Sequence, residues 1–181
     1  VKQIITIPDV PEVIGKTALE FSKRFNWVFT SGGIGPTLDD LTVASIAKEF
    51  GTSLYESPLI MEAIYKYRGE NMTNAHRRMA MIPEGSELIG YAEGRPPQLQ
   101  FHNIFIFPGI PEFLKIRFSG IKERFRTTPI VMKQIFLKAD EGDIAASLDE
   151  TQQAFPEVQL GSYPKISGTD YNVKLTLECR D

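Results

Sequence analysis

The sequence predicts an α/β fold, a mostly parallel sheet flanked by helices with a small β-α-β-β unit appended. Three observations carry that reading. The apolar run Trp27-Val28-Phe29 passes through a glycine-rich turn into a helical pattern from Val43 to Phe50. A second strand-like run, His102 to Phe107 (HNIFIF), passes through Pro108-Gly109-Ile110-Pro111 into another helical stretch, Glu112 to Arg126. Beyond Arg126-Thr127-Thr128-Pro129 the order changes to strand, helix, strand, strand, which sets domains at 1–128 and 129–181.

Taken in order, Val1 to Ile7 alternates weakly and reads as a strand, broken by Pro8-Asp9-Val10-Pro11. Glu12 to Phe25 is helical, with Val13, Ala18, Phe21 and Phe25 on one face. Trp27 to Thr30 is short and apolar, as a buried parallel strand should be. A helix is expected from about Thr37, with Thr37 and Asp40 as its capping box. Ser57 as N-cap, Pro58 as first residue and Gly69 as stop frame the next helix. Asn71 to Met79 holds a helical turn or two. Glu87–Tyr91 and Gln98–Phe101 are strands joined by the turn Glu93-Gly94-Arg95-Pro96-Pro97. In the last unit the strands are Val131–Leu137, Val158–Tyr163 and Tyr171–Glu178, with a helix from Glu141 to Phe155.

Bulk properties narrow the class. With 181 residues, 42% hydrophobic and 24% charged, the chain reads as an ordinary globular protein. A net charge of −3 argues against nucleic acid or an anionic membrane as the main partner. The basic cluster Lys115, Arg117, Lys122, Arg124 and Arg126 reads as a solvated helix face. Cys179 stands alone, which excludes an intrachain disulfide or thiolate zinc site and suits a reducing, cytoplasmic setting. No apolar run has the length of a membrane span, and VKQIITIPDVPE lacks signal-peptide form. A chain opening on a strand-like run without Met reads as a fragment.

The chemistry concentrates in Thr30-Ser-Gly-Gly-Ile-Gly-Pro-Thr-Leu-Asp-Asp-Leu-Thr42. A glycine turn between strand and helix exposes backbone N–H groups at a positive helix end, an anion site. Asp39 and Asp40 would repel a bare phosphate unless a divalent cation lay between, so metal-assisted work on a phosphate or pyrophosphate is the expectation. This is not a Walker loop, since no Gly-Lys-Ser/Thr follows. Nor is it a dinucleotide fingerprint, since Leu38 stands where the third glycine belongs. If the strands before the two turns are parallel, both turns face one crevice. His76, in Asn74-Ala75-His76-Arg77-Arg78, is read as a surface residue, with phosphate binding beside its arginines the lesser reading. His102 is read as packed at a strand start. The acidic residues Glu141, Asp143, Asp149 and Glu150 are assigned no role. Ser162 and Ser167 lack a nucleophile elbow.

At these residues the chain resembles the molybdopterin-binding (Mog-like) domain family, which includes gephyrin-type and Mog-type adenylyltransferases, CinA-type proteins and the N-terminal domain of animal FAD synthases. The matching pieces are TSGGIGPTLDDLT, PGIP (Pro108 to Pro111) and Met81-Ile82-Pro83-Glu84-Gly85-Ser86. Asp39 and Ile110, where the adenylyltransferases commonly carry Arg and Ser, resemble the CinA and FAD synthase branch. LKADEGDIAASL, LGSYP and YNVKLTL are similar to the end of the FAD synthase domain. The resemblance implies a three-layer Mog-like fold with a KH-like C-terminal unit. That unit has no GXXG loop, so RNA binding does not carry over. It also implies metal-dependent hydrolysis of a nucleotide pyrophosphate of the FAD or ADP-ribose type. Asp40 and Asp39 would be catalytic and hold Mg²⁺ or a similar cation. Gly32, Gly33, Gly35, Thr37, Thr42 and Gly109 would bind phosphate. The alternatives are adenylyl transfer to molybdopterin, or a non-catalytic regulatory or oligomerisation module. Other implied ligands and partners are a molybdopterin-like or flavin nucleotide, a homo-oligomer, and a FAD-synthesising domain in the parent chain. The family's earlier Gly-Asp-Glu and Asp-Thr-Asn segments have no match here, so the fragment is expected to leave sheet neighbours unpaired.

Overall fold

The computed structural model describes residues 1–90, 97–165 and 170–180. The expected turn at Glu93–Pro96, the end of the strand at Tyr91, and Ser167 lie outside the described residues. The chain divides into two compact units, Val1–Phe125 and Arg126–Asp181.

The first unit is a sheet with helices on both faces. Its strands are β1 (Val28–Ser31), β4 (Glu87–Ile89), β5 (Gln98–Phe101) and β6 (Ile104–Phe107), in the order β1-β6-β5-β4. A further short pair, β2 (Leu54–Glu56) with β3 (Met81–Pro83), is antiparallel. β1 runs parallel to β6, with Thr30 opposite Ile106 and Ser31 opposite Phe107. β5 is antiparallel to both β4 and β6. Three residues show too little alternation for β2 and β3 to be read from sequence.

Alternation along β5 and β6 sends side chains to two faces. Leu99, Phe101, Ile104 and Ile106 meet Ala18 of α1 (Pro11–Arg24) and Ile46 of α2 (Thr42–Glu49). Phe105 and Phe107 meet Leu114 and Ile121 of α5 (Pro111–Ile121) on the opposite face. Phe101, Ile104, Ile106 and Phe105 are nearly inaccessible, so this sheet is the centre of the core. The buried side of α1 is Ile14, Ala18 and the partly buried Phe21 and Phe25, with Ile14 in place of the expected Val13. Asn103 ends that helix, its amide donating to Ser22 O at 3.0 Å and Phe25 O at 2.8 Å.

Ser57 caps α3 (Pro58–Arg68), accepting from Ile60 N, and Gly69 stops it at φ 57°. A 3-10 turn, Gly69–Asn71, leads to α4 (Asn74–Arg78). A second, Lys122–Phe125, follows α5.

Several expectations are corrected. Residues 1–8 join no strand, and Val1 and Ile4 stand in solvent at 110% and 83% exposure. Alternation holds a strand only where a neighbour supplies the hydrogen bonds. β1 is parallel but lies at the sheet edge, and Trp27 and Phe29 are about half exposed (48% and 46%) instead of buried. Both lean on an aromatic cluster with Phe105 and Phe125. His102 does not start a strand. It turns the β5–β6 hairpin at φ 51°, a conformation Asn, Asp and His tolerate best, and stacks on Phe50. Arg117 is not on a solvated face, since it lies three residues after Leu114 and four before Ile121, with its Nε buried and unpartnered.

The second unit has the order β7 (Ile130–Leu137), α6 (Glu141–Ala154), β8 (Gln159–Pro164), β9 (Val173–Arg180). The antiparallel sheet runs β7-β9-β8. Gln152 of α6 holds the start of β8, donating to Val158 O at 2.8 Å and accepting from Leu160 N at 3.3 Å. No helix among the described residues is long and apolar enough to cross a membrane.

Candidate functional site

The two special turns leave the ends of the parallel strands β1 and β6, so they meet. Gly32 N donates to Phe107 O at 3.1 Å and Ser31 Oγ to Pro108 O at 3.3 Å. A Cβ added at Gly109 would sit 3.3 Å from Gly32 Cα, so the backbones touch where any side chain would part them.

The first turn is held from within. Gly32 and Gly33 have φ of 100° and 66°. Thr42, at the start of α2, ties the loop shut: its N–H donates to Gly33 O and its hydroxyl to Gly32 O, both at 3.0 Å. The expected helix start at Thr37 is therefore displaced to Thr42, and Thr37–Asp40 forms a turn closed by Asp40 N to Thr37 O at 3.3 Å. Only the reciprocal half of the capping box survives. Asp40 Oδ2 accepts from Thr37 N at 2.8 Å and Thr37 Oγ1 at 2.6 Å. Thr37 and Thr42 thus spend their hydroxyls on the loop itself.

Burial works against the Asp40 carboxylate, but hydrogen bonds from the Thr37 hydroxyl and the N–H groups of Gly35 and Thr37 outweigh it. They hold the carboxyl below its ordinary value of 3.8. A depressed folded-state value means that stability is present above the unfolded value and is lost as pH falls through the folded one. Thermal melting of the wild-type chain is expected to drop as pH falls from about 4 downward, and Asp40→Asn to flatten that part of the profile.

Sequence reasoning missed two struts. Ser31 links the two loops, and Arg78 Nη2 donates to Pro36 O at 2.7 Å, pinning α4 to the glycine turn. The Arg77-Arg78 cluster was the available signal for Arg78; nothing local marks Ser31. His76 faces its own helix start, where Nδ1 accepts from Thr73 N at 3.1 Å, so Arg78, not His76, reaches the site. His76 and His102 have no shared role.

Among the described residues, the N–H groups of Gly33, Ile34, Gly109 and Ile110 have no protein acceptor. The Thr30 hydroxyl, at the end of β1, is buried without a partner. No group of three or more His, Cys, Asp or Glu side chains among the described residues is placed to hold a metal ion. The donors at the site are hard oxygens. They suit Mg²⁺, which needs only one or two carboxylates when substrate phosphates and water complete its shell. Asp40 is the candidate ligand, with both Thr37 bonds on Oδ2; Asp39 is exposed. Grooves of about 310 and 250 Å³ lie in the second unit.

The site therefore defines a class: an α/β domain with two glycine-bearing loops abutting beyond a parallel strand pair. Comparison with known proteins gives the family. Residues 1–127 match the probable molybdopterin binding domain, and residues 129–181 match the FAD synthase middle domain. The chain belongs to the molybdopterin-binding domain family, with FAD synthase-like and CinA-like relatives. A protein of Archaeoglobus fulgidus is 32% identical over 91% of this chain and 71% of its own length. A probable FAD synthase of Caenorhabditis briggsae is 26% identical over 98% of this chain, which spans 39% of that protein. A CinA-like protein of Nostoc is 37% identical over 58% of this chain and 27% of its own length. The crystal structure of CinA from Thermoplasma acidophilum, a protein of unknown function, superposes with TM-score 0.57 at 27% identity. It covers 66% of this chain and 74% of its own.

Proposed function

We propose that this domain binds a nucleotide pyrophosphate of the FAD or ADP-ribose type and hydrolyses its phosphoanhydride with a divalent cation. The observation that carries the reading is a series of loop N–H groups without protein acceptors, among them those of Gly33 and Ile34 in one loop and of Gly109 and Ile110 in the other. Loops touching at Gly32 and Gly109 offer donors to two adjacent phosphates more readily than to one. Asp40, kept ionised by Thr37 and Gly35, would hold the cation. When bound, that ion supplies charge neutralisation on the leaving phosphate and a water of lowered pKa. The chain's own residues fix the phosphates and keep Asp40 in place. Water adds to one phosphorus, the bridging P–O bond breaks, and AMP leaves with a second phosphate ester. The test is AMP release from FAD and from ADP-ribose by the purified chain with Mg²⁺. Metal-dependent release supports the proposal; absence of both binding and release removes it.

A further inference from the structure

The last residue of α4 reaches the glycine turn at the peptide group that also holds Asp40. Arg78 Nη2 donates to Pro36 O at 2.7 Å. The N–H of that same peptide unit, on Thr37, donates to Asp40 Oδ2 at 2.8 Å. One planar group thus has a guanidinium at its carbonyl end and a carboxylate at its N–H end. Both charges lie along the peptide dipole in its favoured sense, the cation at the oxygen and the anion at the hydrogen. Hydrogen bonds chained in this way polarise and strengthen one another.

Arg78 is fixed from both ends of its short helix. Thr73 and His76 form a capping box at the start of α4. Just past the other end Ala80 is fully buried, and its carbonyl accepts from Ser57 N at 2.9 Å. The neighbouring Arg77 turns to Glu56, 3.8 Å from Nε to Oε2, whereas among the described residues no carboxylate pairs with Arg78. Its charge is not cancelled locally, so the polarisation falls on the Pro36–Thr37 peptide.

We infer that Arg78 is a positioning residue for the Asp40 carboxylate, acting through the Pro36–Thr37 peptide without touching substrate. Its consequence for the cation rests on the proposed reading of Asp40 as the ligand. Groups one bond behind a ligand commonly set about 10–100-fold of metal affinity.

The test compares the whole chain with Arg78→Ala and Arg78→Lys, changes at an exposed position that should leave the fold intact. In the metal-free protein, NMR follows the Thr37 amide proton. Arg78→Ala should move it upfield as its bond to Asp40 weakens. Arg78→Lys, which keeps a cationic donor, should restore much of the shift. Mg²⁺ alone is then added, without substrate, and the loop amides report its binding. Arg78→Ala should need about tenfold more ion or beyond, and Arg78→Lys clearly less than that. An unmoved Thr37 amide, equal Mg²⁺ affinity in wild type and Arg78→Ala, or Ala and Lys variants that behave alike, each overturns the inference. If the wild-type chain binds no Mg²⁺, the cation reading of Asp40 falls by itself, and the Thr37 amide still decides whether Arg78 acts on Asp40.

Discussion

Asp40→Ala is expected to lower hydrolysis of FAD or ADP-ribose by about 100-fold or more, the scale seen when one charge-stabilising group leaves an active site. Stability should fall less, by roughly 1–2 kcal/mol, because the side chain accepts from Thr37 as a cap does. The two consequences separate in Asp40→Asn. That variant keeps an oxygen for the Thr37 donors and loses only the charge. Steady-state AMP release should remain low while the melting temperature at neutral pH returns most of the way. Wild-type turnover by Asp40→Asn would reduce Asp40 to a stitch in the turn.

Gly33→Ala should be strongly damaging. The new Cβ would lie 2.3 Å from Thr42 Oγ1 and 3.2 Å from its Cβ, at a φ of +66° that side chains rarely adopt. Thr42 cannot swing aside without giving up its bond to Gly32 O. Strain and crowding each cost about 1–3 kcal/mol, so a loss near 3 kcal/mol follows. In a chain of this size that lowers the melting point of the first unit by roughly 6–12 °C. Gly32→Ala is the control: its φ is also positive, at +100°, but nothing lies within 4 Å of the added methyl. It should cost only the backbone term, about 1–3 kcal/mol, without the crowding. Differential scanning calorimetry of both variants measures the gap; equal losses would mean that Thr42 is not the strut described.

What could be read from the chain followed from residues that act locally. Ser57, Pro58 and Gly69 frame α3 because a cap, a fixed φ and a left-handed stop need no tertiary partner. Both loops were legible for the same reason, since glycine and proline announce backbone geometry. The start of α2 was not, because Thr37 and Asp40 satisfy half a capping box in either a helix or a turn, and the buried Thr42 decides between them. Val1–Ile7 and β1 were misjudged through their neighbours. Alternation alone cannot show whether an adjacent strand is present, and Trp27 and Phe29 look alike in sequence whether buried or lying at an edge. Ser31 and Arg78 reach the site only after β6 and α4 are in place, so the contacts that lock the loops are tertiary.

The most direct measurement of the central claim follows backbone amide shifts by NMR as ADP-ribose and Mg²⁺ are titrated into the chain. If the two loops form one pyrophosphate cradle, Gly33, Ile34, Gly109 and Ile110 shift together and saturate at a single dissociation constant. Shifts in only one loop, or in neither while other surfaces respond, would contradict it.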